Sequence, residues 1–140
     1  FCKKGHEGVV NAVRADGGVR LVMKDWPIFG AVSVRASQLV LAAQGSGHYA
    51  AAMDALMATT GRLSDAQVDA KLAERGLDAG RLTAAYRQDA ARIDGLLARN
   101  NRQAEAFGFN GTPSFVVQTT LFPGVMDEAA LREAIAEARG

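Results

Sequence analysis

Cysteine is almost missing from this 140-residue chain, which carries only Cys2. One cysteine excludes a disulfide within these residues and a cysteine-rich zinc site. Excess charge is missing too: sixteen Lys and Arg balance fifteen Asp and Glu. The longest basic run is Lys3-Lys4, so the electrostatic footprint of nucleic-acid binding is absent. No apolar stretch approaches the ~18 residues of a membrane span, and none has the pattern of a signal peptide. Repeats and low-complexity segments are lacking as well. What is present is ordinary for a globular domain: 49% apolar residues in a length that can bury a full core.

Prolines are few, and each of the three stands at a boundary. Residues 2 to about 15 place Val9, Val10 and Val13 at helical spacing, although Gly5 and Gly8 weaken the helix. Asp16-Gly17-Gly18 stops it. Val19-Arg20-Leu21-Val22-Met23-Lys24-Asp25-Trp26 is predicted to be a strand, bounded by Gly-Gly and Pro27. From about residue 31 to 108 alanine, leucine and charged residues dominate, and the region is predicted to be helical throughout. Ser33 is the predicted N-cap of its first helix. Tyr49, Met53, Leu56 and Met57 form an amphipathic stripe, Ser64 to Gln67 a capping box, and Asp78 and Asp89 further helix starts.

The chain then reaches Asn110-Gly111-Thr112-Pro113-Ser114-Phe115-Val116-Val117, a turn running through a proline into a short apolar strand. Proline gives no N–H to a ladder, so it belongs at the head of a strand or after a cis peptide. A second strand is predicted over Thr119 to Phe122, closed by Pro123-Gly124, which makes an antiparallel hairpin. Asp127 caps a last helix through Leu131, Ala134, Ile135 and Ala138.

Helix, strand, helical block, hairpin and helix, in that order, resemble the DsbA-like thiol:disulfide oxidoreductases of bacterial envelopes. The resemblance spans nearly all of the chain. It rests on Phe1-Cys2-Lys3-Lys4, on Lys24-Asp25-Trp26-Pro27-Ile28, on the alanine-rich block, on Asn110 to Val116, and on Phe122-Pro123-Gly124. It implies an α/β, thioredoxin-like fold with an all-α helical insertion. Residues 1–29 and 109–140 would form the thioredoxin-like part, and 30–108 the inserted helical subdomain. It also implies a C-x-x-C active site at a helix N-terminus, where free N–H groups and the positive dipole end favour a thiolate. Cys2 matches the second cysteine of that motif and is the expected catalytic residue. Phe1, Thr112 and Pro113 are the expected substrate-binding residues, the last two in a cis-proline loop that holds substrate as an extended strand.

The motif's first cysteine would lie two residues before Phe1. Either residues before Phe1 supply it together with the fold's first strand, or the chain is a natural variant lacking both. A sheet's need for its central strand favours the former. That strand would lie between the run near Leu21 and the run near Phe115, leaving these two about 10 Å apart and unpaired with each other. Neither cofactor nor metal is expected. The expected partners are cysteine-containing exported polypeptides and a redox partner protein, in the periplasm or cell envelope, with any signal peptide outside these residues. A non-catalytic peptide-binding or chaperone-like module on the same fold is the alternative. A glutathione-dependent isomerase or transferase is the more distant one. His6, one helical turn after Cys2, reads as a surface residue or a source of positive potential, and His48 as a surface or helix-start residue. Lys24 and Asp25 read as exposed strand-end charges, with proton shuttling as the alternative use.

Overall fold

The computed structural model describes residues 1–140. Its elements are α1 (Cys2–Asp16), α2 (Ala31–Ala43), α3 (Tyr49–Met57), α4 (Asp65–Ala73), α5 (Ala79–Gln88), α6 (Ala90–Ala106), β1 (Ser114–Val117), β2 (Thr120–Pro123) and α7 (Glu128–Arg139). They divide into two compact units, Phe1–Lys24 with Gln103–Gly140, and Asp25–Arg102. Seven helices and a small sheet are the thioredoxin-like fold with helical insertion that the element order implies. No helix is long and apolar enough to cross a membrane.

In the first unit, α1 packs on α7 through Val9, Ala12, Leu131, Ala134 and Ile135, with Met126 completing the buried cluster. Phe115, Val117 and Phe122 of the hairpin lie against the same cluster. These three share one face because β1 and β2 are antiparallel with Phe115 opposite Phe122 and Val117 opposite Thr120. Val116 and Leu121, the intervening pair, point to the other face. Gln118, at φ 54, makes the turn between the strands. Asp127 caps α7 by accepting from the Ala130 N–H at 2.8 Å, as its position predicts.

The second unit is built round α2. Leu39 to Ala43 are buried without interruption, which is the mark of a helix enclosed on all sides. Leu39, Val40 and Ala43 join Met53, Leu56, Val68 and Leu72 in one cluster, while Leu41 and Ala42 join Ile93 and Leu97 in another. The capping box is present in full: the Gln67 N–H donates to Ser64 Oγ at 3.2 Å, and the Ser64 N–H donates to Gln67 Oε1 at 3.0 Å. Asp78 Oδ1 accepts from the Arg81 N–H at 2.7 Å. Ser33, by contrast, lies inside α2, and the N-cap is Gly30 at φ 87. A left-handed backbone is open to glycine, and that lets the helix begin before the first side chain able to cap it.

Two further expectations are corrected. Val19–Trp26 is not a strand: the only sheet pairs β1 with β2, and residues 19–24 make no backbone hydrogen bond to another segment. An apolar run becomes a strand only where a neighbour satisfies its N–H and C=O groups, and none in this chain does. Leu21, Val22 and Met23 are accordingly exposed. Asp25, read as an exposed charge, is only 8% exposed. Tyr49 donates its hydroxyl to Asp25 Oδ2 at 2.8 Å, and Asn100 donates Nδ2 to the Asp25 carbonyl at 2.9 Å. Next to it Trp26 Nε1 donates to Asn101 Oδ1 at 2.8 Å. Asp25 therefore ties the segment ahead of α2 to α3 and α6. Lys24 does remain exposed, donating to Gln103 Oε1 at 2.8 Å.

Burial raises the Asp25 carboxyl above the usual carboxylate range, against the lowering effect of the Tyr49 hydroxyl. Burial and the adjacent carboxylate push the Tyr49 hydroxyl upward as well, which keeps it a donor. A folded pKa above the unfolded one means that the folded state holds the proton more tightly. The stability that this gives is complete below the unfolded value of about 3.9 and is lost as pH rises through the folded value. Asp25→Asn keeps an acceptor for Tyr49 and does not ionise. It is expected to unfold at a higher denaturant concentration than the parent at neutral pH, with the gap closing as pH falls toward 4; a gap independent of pH would contradict this.

Candidate functional site

The first unit presents two features that the sequence singled out, the start of α1 and the loop before β1. Phe1 is the N-cap of α1, and Cys2 is its first helical residue. The Gly5 N–H donates to the Phe1 carbonyl at 3.1 Å. That is the first bond of the helix, so the N–H groups of Cys2, Lys3 and Lys4 lie ahead of the intrahelical ladder and face the helix end. No acidic residue stands in the first turn, while Lys3 and Lys4 do. The positive dipole end is thus reinforced, and an anion is favoured there. Burial lowers the pKa of the Lys3 ammonium. Cys2 is half-buried as a residue and forms no disulfide. Phe1, 85% exposed, projects its ring to solvent.

The Thr112–Pro113 peptide is cis. The loop round it is fixed at both ends: Ser114 Oγ donates to the Gly111 carbonyl at 2.7 Å, and the Gly124 N–H donates to the Pro113 carbonyl at 3.1 Å. Gly124 sits at φ 92, where a side chain would be strained. A hollow of about 320 Å³ opens over this loop, lined by Asn110, Thr112, Pro113, Ser114 and Pro123 among others. The N–H and carbonyl of Thr112 make no hydrogen bond within the chain. Within this chain β1 pairs with β2 alone.

Phe1 with Cys2 and Thr112 with Pro113 are thus two local pairs, each carried by an element anchored on one apolar cluster. α1 reaches it through Val9 and Ala12, and the hairpin through Phe115, Val117 and Phe122. Cys2 makes no hydrogen bond to Thr112 or Pro113. His48 caps no ligand set: it starts α3, with Nδ1 2.9 Å from Ser46 Oγ. No group of His, Cys, Asp or Glu is assembled for a metal ion. Sequence reasoning missed the Asp25–Tyr49–Asn100 network. Its signal was a carboxylate set against Trp26-Pro27, with Asn100-Asn101 interrupting an otherwise alanine-rich and charged helix.

A family model described as the DSBA-like thioredoxin domain matches residues 1–136. The chain belongs to the DSBA-like thioredoxin family. Among solved structures, this DSBA-like chain is similar to a thioredoxin-like oxidoreductase from Silicibacter pomeroyi DSS-3, at 37% identity and a TM-score of 0.92, over 99% of this chain and 79% of that one. It shares the fold of the thiol-disulfide exchange protein alpha-DsbA2 from Wolbachia pipientis, at 23% identity and a TM-score of 0.89, over 97% and 74% of the two chains. Proteus mirabilis ScsC in a compact conformation has the same fold, at 22% identity and a TM-score of 0.87, over 100% and 77%. No curated protein sequence matches the chain.

The half-buried Cys2 is expected to react with a maleimide or iodoacetamide several times more slowly in the folded DSBA-like chain than in denaturant, as access to the sulfur limits the reaction. Equal rates, followed by the mass of the adduct, would contradict the placement of its sulfur.

Proposed function

We infer that this chain is part of a thiol:disulfide oxidoreductase acting on cysteine pairs of exported polypeptides, in the periplasm or cell envelope. The observation that carries the reading is Cys2 at the first position of α1 in a member of the DSBA-like family. In this reading Cys2 is the second cysteine of a C-x-x-C pair whose first member lies two residues before Phe1. The oxidised pair is attacked at the upstream sulfur by a substrate thiolate. The S–S bond breaks, a mixed disulfide forms, and Cys2 leaves as a thiolate beside the free N–H groups of α1. A second substrate thiolate attacks the mixed disulfide, the substrate departs with its new S–S bond, and the upstream sulfur leaves as a thiolate. Two electrons and two protons have passed to the enzyme, and a disulfide-bearing redox partner takes them back.

Thr112 and Pro113 serve substrate binding. The free N–H and carbonyl of Thr112 suit an extended polypeptide laid along the loop, whose main chain supplies the matching groups without regard to sequence. Phe1 gives an exposed apolar contact beside the sulfur. Other exposed members of unit 1, Phe107 among them, suit unfolded rather than folded partners. The unpaired main-chain groups of Thr112 also suit a second reading, a peptide-binding module that keeps the proline loop without the redox chemistry.

The test uses the protein expressed with the residues encoded before Phe1, oxidised, and mixed with a reduced unfolded polypeptide that has one cysteine pair. Disulfide formation in the substrate is expected, with one equivalent of enzyme reduced. Cys2→Ser is expected to lose turnover entirely and to accumulate a mixed disulfide when offered an oxidised substrate. An oxidised protein that leaves the substrate reduced, or a Cys2→Ser variant with parental turnover, would overturn the reading.

A further inference from the structure

The second groove of the first unit lies on the far side of the hairpin, between β2 and α7, with a volume of about 480 Å³. Ala130, Glu133, Ala134 and Glu137 line one wall. Their spacing of three, four and seven residues puts them in a single stripe of α7. The two alanines keep the floor low and apolar. Val125, 53% exposed, lines the other wall together with Leu121, which borders the groove at the strand edge while its side chain turns to the opposite sheet face. Glu133 and Glu137 stand on the rim, and neither meets a basic side chain. The other charged residues of α7 do: Glu128 pairs with Arg132, and Arg139 with Asp16. Two carboxylates one turn apart repel each other, and a cation brought between or beside them relieves that repulsion.

The edge of β2 adds a backbone feature. The Gly124 N–H donates to the Pro113 carbonyl, so in the alternation of an antiparallel ladder the pairs Phe115–Phe122 and Val117–Thr120 are hydrogen-bonded, and Val116–Leu121 is not. The Leu121 N–H and carbonyl therefore point away from β1 into the free edge. Pro123 offers no N–H there, so the edge accepts a short partner only.

We propose that this groove docks a short extended segment of another polypeptide, read as basic–apolar–basic, which adds to the β2 edge at Leu121. The geometry sets that order. A residue placed opposite Leu121 shares its sheet face, where Leu121 and Val116 are both exposed and apolar. Its two neighbours turn to the opposite face, the one on which Phe122 meets the α7 cluster. Those neighbours are about 6.6 Å apart along a strand, and Glu133 and Glu137 are about 6 Å apart along a helix. Lysine or arginine at the two flanking positions thus meets one carboxylate each. The assignment does not depend on the redox reading, since it uses no sulfur.

The test measures fluorescence anisotropy of a dye-labelled Gly-Arg-Leu-Arg-Gly peptide titrated with the protein. Saturable binding is expected, weakened about threefold to tenfold in a Glu133→Gln, Glu137→Gln double variant, the loss of two exposed charge pairs. Methylating the peptide's leucine nitrogen, which leaves the protein untouched, is expected to weaken binding by a similar factor. A Gly-Glu-Leu-Glu-Gly peptide is expected not to bind. Equal binding of the acidic peptide, no effect of both the double variant and the methylation, or no binding at millimolar protein would overturn the proposal. So would a concentration-dependent dimer dispersed by the double variant, which would give the groove to a second copy.

Discussion

The packing of α1 against α7 is the interaction on which the rest of the first unit depends. Val9 and Ala12 present a small, flat surface to Leu131, Ala134 and Ile135, and small residues on both helices bring the backbones close. Gly8 belongs to the same approach, since a Cβ there would lie 3.8 Å from Glu128. Beyond this contact Asp16 and Arg139 join the far ends of the two helices in a bidentate pair. With its helix so held, Cys2 sits at a fixed dipole end. The hairpin, seated on the same cluster by Phe115, Val117 and Phe122, carries the cis Thr112–Pro113 peptide at a fixed end of its own. One apolar cluster therefore anchors both candidate site elements, and a large-to-small change such as Leu131→Ala would loosen both together.

The helical unit follows a different logic. Its centre, α2, has almost no polar face to spend on water, and it is enclosed by α3, α4, α5 and α6 through two separate clusters. Polar groups that enter this interior are paired, Asn100 Oδ1 apart. Asp25 is the main case, its carboxyl bonded by Tyr49 and its carbonyl by Asn100. Asn100 Oδ1 is the one buried side-chain oxygen without a protein partner, a position that suits an ordered water. Arg35, reaching Asp65 and Asp69, links α2 to the start of α4 at the surface.

Much of this was legible in the chain where the signal is local. The caps at Ser64, Asp78 and Asp127 need only a short side chain, a backbone N–H three residues on and an apolar run, and all three formed as read. The hairpin was legible as two short runs closed by Pro123-Gly124, although Thr119, expected in the second strand, lies in the turn, and the family was legible from motifs held in order over most of the chain. What was not legible is what depends on neighbours. Val19–Trp26 has the composition of a strand, but strand formation is settled by a partner, and no residue of this chain pairs with it. Asp25 has the composition of a surface charge, but its burial is set by Tyr49 and Asn100, 24 and 75 residues away. Ser33 lost its cap to Gly30 because backbone freedom, which composition does not display, set the start of α2. At the candidate site, the residue types and the cis peptide could be read from the motif, whereas the free Thr112 backbone emerged only with the hydrogen-bond pattern.

The central claim is that Cys2 belongs to a redox-active pair, and its disulfide state tests that most directly. The protein would be purified from its own cells after rapid acid quenching and thiol blocking, and Cys2 mapped by peptide mass spectrometry with and without reduction. A redox-active pair requires Cys2 in a disulfide with a cysteine two residues before Phe1, released with a gain of two hydrogens on reduction. A Cys2 recovered only as a blocked free thiol, in a protein with no cysteine at that upstream position, would contradict it.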